Sequence, residues 1–215
     1  MADDPGVLDA ADVVRWVRAW AEDVHEQRDW LIDLDRAIGD ADHGANMDRG
    51  LTAVLGKLDE AGPVTQPGQV LKLVATTLIS TVGGASGPLY GTAFLRASSA
   101  AGDRESLDAA GVVAVLGAAR DGIVARGKAV VGDKTMVDAW DPAVSAAADA
   151  TDRQADLGAV IAAASDAASE GAASTVPLVA RKGRASYLGE RSAGHLDPGA
   201  ASTDLLFRAL ARSVA

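Results

Sequence analysis

The sequence predicts an all-α protein, an up-and-down bundle of eight helices in one domain over residues 1–215. Three observations carry that reading. The chain has 215 residues, within the roughly 250 that a single core commonly serves. It is 48% hydrophobic but only 4% aromatic, so its core must come from Ala, Val and Leu. Alanine is the strongest helix former because it loses no side-chain entropy. No stretch shows sustained period-two alternation of β-branched residues, so no sheet is expected.

The elements follow in order. A first helix is expected over about 8–34, with Val13, Val14, Val17, Trp20, Ala21 and Val24 at helical spacing. Trp16 and Trp20 stand four apart and Trp30 lies further along. All three are read as core or interface, and His25 as exposed on the polar side. A second helix follows Gly44, carries Met47, Leu51, Val54, Leu55 and Leu58, and stops at Gly62-Pro63. A third runs from Pro67 to Gly83-Gly84, and a fourth from Pro88 to before Gly102. The fifth spans about 106–126. The sixth spans about 136–150, with Pro142 tolerable at a first turn or a kink. The Ala-rich stretch 156–177 is the seventh, and 199–213 the eighth.

The connections are unevenly dressed. Four are dense in Gly, Asp, Ser and Thr: 39–46, 83–88, 127–135 and 182–199. They follow the first, third, fifth and seventh helices. In an up-and-down bundle, alternate connections share an end, so the chemistry gathers at one end. The segment 182–199 is long for a loop without secondary structure, which marks it as functional or mobile.

The net charge of −10 and a single short basic cluster, Arg181, Lys182, Arg184 and Arg191, argue against nucleic-acid binding. A phosphate-bearing small molecule remains compatible. No cysteine is present, so disulfide and thiolate chemistry are excluded. Met1-Ala2-Asp3-Asp4-Pro5 lacks the basic start and apolar stretch of a signal peptide. No run approaches the roughly 20 apolar residues of a membrane span. A soluble cytoplasmic protein is expected.

Asp40 and Asp42 stand two apart in a Gly-bounded turn, with Asp35 just upstream. Magnesium takes hard oxygen ligands, usually a few carboxylates with substrate phosphates. Gly44-Ala45-Asn46 opens a helix whose free N–H groups suit a phosphate. The same residues would also serve plain structure, with Asp42 or Asn46 as a helix cap and Asp40 in a turn. An EF-hand does not fit, since the twelfth position from Asp40 is Leu51.

Gly83 to Gly91 offers close backbone approach and the Ser86 hydroxyl, or else a plain turn closed by Pro88. It is no nucleophile elbow, because Pro88 stands where that motif needs Gly. Gly122 to Ala129 resembles a P-loop but fails at Ala129 and ends a helix. In the polar turn that follows, Met136 is read as a core methionine or a surface for a flat base. In the last loop, Arg184 could clamp phosphate and Asp197 could bond a ribose hydroxyl, or the loop is simply solvated.

Together, Ile38–Gly50 (IGDADHGANMDRG), Gly83–Gly91 (GGASGPLYG), Gly127–Met136 (GKAVVGDKTM) and Lys182–Gly199 (KGRASYLGERSAGHLDPG) resemble the L subunit, or L domain, of dihydroxyacetone kinases. The motifs stand in family order and span essentially the whole chain. The resemblance implies an antiparallel barrel of eight amphipathic helices with ADP or ATP at one end. It implies two magnesium ions on Asp35, Asp40 and Asp42. It implies nucleotide contacts at His43, Gly44, Ala45, Asn46, Ala85, Ser86, Gly127, Met136, Arg184, Asp197, Pro198 and Gly199, with Arg184 also catalytic. Ala41 departs from the pattern, where family members usually carry Gly; a positive φ there would be awkward for alanine.

The implied activity is phosphoryl transfer by positioning and charge neutralisation. The sugar would sit on a partner K subunit, whose histidine binds the ketone covalently. The nucleotide would be recharged by a phosphohistidine donor subunit or, in the other form, replaced by ATP. A homodimer is left open. The rival readings are an ATP-dependent kinase subunit for a tetrulose or a fatty acid, and a non-catalytic nucleotide-sensing module.

Overall fold

A computed structural model describes residues 6–214, so the reading of Met1 to Pro5 lies outside the described residues. Nine α-helices follow in order: α1 (Ala10–Glu26), α2 (Arg28–Ile38), α3 (His43–Glu60), α4 (Pro67–Thr81), α5 (Ser86–Ala101), α6 (Ala109–Gly127), α7 (Val137–Asp152), α8 (Leu157–Ser174) and α9 (Pro198–Ser213). Each helix from α3 to α9 packs on its predecessor, and α9 returns to α1, which also packs on α3 and α4. With α1 and α2 as one interrupted member, this is the expected eight-membered antiparallel ring.

The first expected helix is broken. Gln27 leaves helical geometry at φ −94°, ψ 11°. Val24 and Leu31 are both buried, seven residues apart across the break. The apolar period therefore runs on through it, which is why the sequence reads as one helix. The start differs too. Leu8 and Asp9 form a short strand β1, pairing antiparallel with β2 (Ser106–Leu107). Two residues are too few to print an alternation, so this small sheet corrects the expectation of none. Asp9 then caps α1, accepting the Asp12 N–H at 2.9 Å while the Asp12 carboxylate accepts the Asp9 N–H at 2.7 Å.

Two further corrections concern the loops. The fourth expected helix begins at Ser86 rather than Pro88. The segment 182–199 is not structureless: Arg184–Ser192 forms a 3-10 helix, kinked at Gly189. Pro142 lies inside α7, several residues past its first turn.

The ring is filled, not hollow. Trp16, Trp20 and Phe94 cluster at its centre, with Tyr90 tilted on Trp20 at 5.3 Å between ring centres. Trp140 meets Phe207 edge-on at 4.9 Å. Trp16 Nε1 donates to the Leu206 carbonyl at 2.9 Å, joining α1 to α9. Trp30, read as core or interface, is 39% exposed. His25 is on the surface, bonded to Asp48 at 2.9 Å. No helix among the described residues is long and apolar enough to cross a membrane.

Small residues set the helix spacing. A Cβ on Gly171 of α8 would run into the Asp138 carbonyl and Pro142 of α7, whereas one on Gly56 would meet open space. Gly171→Ala should therefore lose about 1–3 kcal/mol through overpacking. Gly56→Ala should gain about 0.5–1 kcal/mol from helix propensity. Urea unfolding of the two variants checks the contrast; equal shifts would show that Gly171 does not set the α7–α8 distance.

Candidate functional site

One end of the ring carries a cavity lined from all four polar connections. Asp35, Asp40, Asp42, His43 and Asn46 come from the α2–α3 corner, and Gly83 to Ser86 from the α4–α5 corner. Lys134 to Met136 come from the α6–α7 corner, and Lys182 to Ala185 with Asp197 to Gly199 from the α8–α9 connection. The parity expected from the sequence holds in space.

The α2–α3 corner is built around Asp35. Its Oδ2 accepts the N–H groups of Asp42 at 2.8 Å and His43 at 3.1 Å. A carboxylate from the preceding helix thus satisfies the first donors of α3. Asp42 occupies the cap position but makes no cap bond itself, and Asn46 instead accepts from Arg49 at 2.7 Å. Neither is the helix cap that the plain structural reading requires. Gly39 is needed here, because a Cβ would collide with the Asp35 carboxylate. Ala41 does take a positive φ, 63°, a region that costs an L-residue roughly 1–2 kcal/mol.

Asp35, Asp40 and Asp42 each bring one carboxylate oxygen within 4.8 Å of the others. Oxygens on opposite sides of one magnesium ion stand about 4.2 Å apart, twice the ~2.1 Å bond. The trio is a hard, all-oxygen donor set of nearly the right span, so it fits that ion. Arg184 Nη2 bonds Asp40 Oδ2 at 2.9 Å. The pair is exposed, a geometry worth little stability and easily exchanged.

His43 stands behind the trio. Its Nδ1 faces Ser86 Oγ at 3.1 Å and its Nε2 faces Ser202 Oγ at 2.9 Å. Ser202 in turn meets the Tyr90 hydroxyl at 2.7 Å. Burial lowers the His43 pKa to about 4 despite the pull of Asp35 and Asp42, so the imidazole is neutral at pH 7. Burial likewise pushes Tyr90 up to about 12. On the other wall Asp197 caps α9, its Oδ2 accepting the Ala200 N–H at 2.8 Å. Burial raises Asp197 to about 7, with Asp138 adding to the shift and the Ala200 bond and Lys134 opposing it.

A second, apolar cavity of about 300 Å³ adjoins the first, sharing Ala85, Leu89, Thr135 and Met136 with it. Its floor includes Ile123, Gly127 and Val137. One cavity is acidic and hydrogen-bonding, the other greasy and of a size for a flat ring. That is the polarity of a nucleotide, with phosphates at one end and base at the other.

Of the residues expected at the site, all but three line the polar cavity. Gly127 lines the apolar one instead. Gly44 and Ala45 line neither; Gly44 lets α3 approach the Arg28 carbonyl and Ile32 of α2. Sequence reasoning missed Lys134 and the Ser202–Tyr90 pair, and named Lys182 only as part of a basic cluster. The turn around Lys134 was legible only as polar, since burial of a charge leaves no local signature. Ser202 and Tyr90 lie on helices and reach the site only through the ring.

The DAK2 domain family matches residues 37–212. The chain is 48% identical over 197 residues to the ADP-binding subunit DhaL of PEP-dependent dihydroxyacetone kinase 1 of Listeria innocua, covering 92% of this chain and 93% of that one. It is 43% identical to the ADP-binding subunit DhaL of the PEP-dependent dihydroxyacetone kinase of Escherichia coli K12, covering 95% and 97%. Among solved structures it is similar to the dihydroxyacetone kinase of C. freundii in complex with AMP-PNP and Mg2+, with a TM-score of 0.70 and 26% identity. That match covers 95% of this chain but 33% of the solved chain, so this chain spans about a third of its length.

The two buried titrating groups oppose each other. Asp197, raised from 3.8 to about 7, favours folding below 3.8 and loses that contribution as pH rises through 7. His43, lowered from 6.5 to about 4, contributes fully above 6.5 and loses that as pH falls towards 4. Asp197→Asn keeps a capping side chain and removes the first slope. Its urea midpoint should rise between pH 4.5 and 6.5 more steeply than that of the wild type. Parallel profiles would contradict the burial argument for Asp197.

Proposed function

The chain belongs to the DAK2 domain family, and on that premise we propose that it is the nucleotide-binding subunit of a dihydroxyacetone kinase. In this reading it holds ADP or ATP and passes a phosphoryl group to dihydroxyacetone on a partner K subunit. The observation that carries the proposal is the Asp35, Asp40 and Asp42 cluster lining a polar cavity that adjoins an apolar one. The similarity to relatives named as ADP-binding subunits, over more than nine-tenths of both chains, supports the same assignment.

The residues divide the work by position. Asp35, Asp40 and Asp42 would hold two magnesium ions. Bound there, magnesium offsets the charge of the phosphates and of the group in transfer. Ser86, Asn46 and the start of α3 at His43 would face the phosphate side, with Gly44 and Ala45, which line neither cavity, offering at most their backbone. His43, kept neutral by burial, serves as a hydrogen-bonding wall rather than a second cation. Met136, Gly127 and Ala85 cover the base, and Asp197 to Gly199 the ribose. Arg184 exchanges Asp40 for the moving phosphoryl group, adding a fixed positive charge where negative charge spreads.

The rim suits a partner. Tyr187 is 88% exposed, Val130 61% and Val131 57%. Arg126, Lys128, Arg181 and Arg191 are exposed around them, on a chain whose net charge is −10. An acidic face with apolar pockets would complement this end. In this reading a retained ADP is recharged by a phosphohistidine donor subunit in the cytoplasm; that the relatives are named PEP-dependent and ADP-binding supports a retained ADP over consumed ATP.

Asp40→Asn should abolish most magnesium-dependent ADP binding by calorimetry while circular dichroism stays unchanged, because a neutral amide is a poor ligand for a hard cation. Affinity close to wild type would remove the metal assignment. The isolated chain should not phosphorylate dihydroxyacetone. With a K subunit and catalytic ADP, a phosphohistidine donor should sustain turnover; turnover on ATP alone would mark the ATP-dependent form. In the same assay Tyr187→Ala should raise the K-subunit concentration at half-maximal rate about 10-fold without changing ADP affinity.

A further inference from the structure

Lys134 is a full-length charged side chain with 1% of its surface exposed. It lines the polar cavity, yet none of the chemistry above uses it. Its Nζ donates to the Thr175 carbonyl at 2.6 Å, to the His195 carbonyl, and at 3.4 Å to the Val176 carbonyl. An ammonium has three donors, and all three are engaged by backbone. No donor is left to point at a phosphate, so Lys134 does not act as a point-charge ligand.

Its partners carry the ribose wall. Thr175 is fully buried; its Oγ1 accepts the Asp197 N–H at 3.0 Å and donates to Ala172 at 2.7 Å. Lys134 thus grips the carbonyl of the residue whose hydroxyl holds Asp197, and also the carbonyl two residues before Asp197. The turn that delivers Lys134 is itself pinned. The Asp138 carboxylate accepts the Gly132 and Thr135 N–H groups at 2.5 and 2.7 Å, and the Asp133 carbonyl accepts the Arg181 N–H at 3.1 Å. Lys134 sits at φ 62°, a strained value for a side-chain-bearing residue that persists when its surroundings over-determine it.

We propose that Lys134 is a positioning residue for the nucleotide, its ammonium fixing the 195–199 corner against Met136 so that Asp197, Pro198 and Gly199 meet the ribose side. This rests on the nucleotide-binding reading above. The positive charge is central to the role. Backbone carbonyls from two separate segments converge on one point, where only a multivalent cationic donor satisfies them together.

The chain has no cysteine, which permits a direct test. Lys134→Cys, unfolded, aminoethylated and refolded, regains an ammonium at the original length; S-propylation restores the shape without charge. Wild type taken through the same cycle is the control, and its magnesium-dependent ADP binding tests the underlying reading separately. Lys134→Met, expressed directly, covers a failure to refold. The uncharged forms should bind ADP about 10-fold more weakly or worse, and the aminoethylated form should recover. Amide exchange should quicken at Asp197 and Ala200 in the uncharged forms and stay slow in α4 and α5. Arg212→Ala, which removes a distant ion pair to Asp23, should leave ADP affinity unchanged. Wild-type affinity in Lys134→Met, or equal recovery by S-propylation, overturns the inference. Wild type that binds no ADP overturns the nucleotide reading, and the inference with it.

Discussion

An antiparallel ring with an even number of members must bring its last helix beside its first, and this closure governs the molecule. α9 lies on α1, joined by the Trp16 indole to the Leu206 carbonyl and by Arg212 to Asp23. Because successive helices alternate in direction, every second connection falls at one end, the long return between α8 and α9 among them. Four separate loops then become neighbours without any loop having to seek another. The aromatic centre of Trp16, Trp20, Tyr90 and Phe94 fills the interior, and the polar cavity and its apolar neighbour lie at the loop end. The site is therefore a consequence of closure as much as of its own residues.

Within that end, buried polar groups do what sheet edges or disulfides do elsewhere. Asp35 reaches from α2 to the start of α3 and leaves the Asp40 and Asp42 carboxylates facing the cavity. Lys134 gathers carbonyls from the α8–α9 connection. Ser202 links His43 to Tyr90 in the core. Each would be costly if left half-satisfied, because an unpaired buried donor or acceptor keeps its full desolvation penalty. Satisfied together, they hold loops at fixed distances where hydrophobic packing alone would leave them loose.

The charge distribution has a functional logic. The chain is strongly acidic overall, yet Arg126, Lys128, Arg181, Lys182, Arg184 and Arg191 stand exposed on the connections that line the cavities or flank them. Three carboxylates alone would repel a nucleotide. In the proposed reading, metal ions between carboxylates and phosphates reverse that repulsion, and Arg184 places one guanidinium against Asp40. In the proposed assembly, the basic and apolar residues on these connections would be the face offered to the K subunit.

The sequence by itself determined most of the helices, their number around the ring and the end at which the polar connections gather. These follow from apolar period, alanine content and loop composition, all of which are local. It also exposed the Asp35, Asp40 and Asp42 trio, which stand close together along the chain, while the positive φ at Ala41 was signalled by the family resemblance. What it could not show was the break at Gln27, since the apolar stripe continues through it. The two-residue strands were equally silent, being shorter than their own period. Tertiary structure alone decided that Asp35 caps α3, that Lys134 is buried, and that Ser202 backs His43 across 159 residues of chain. Each depends on which distant group fills the space around a side chain, and that space exists only once the ring has closed.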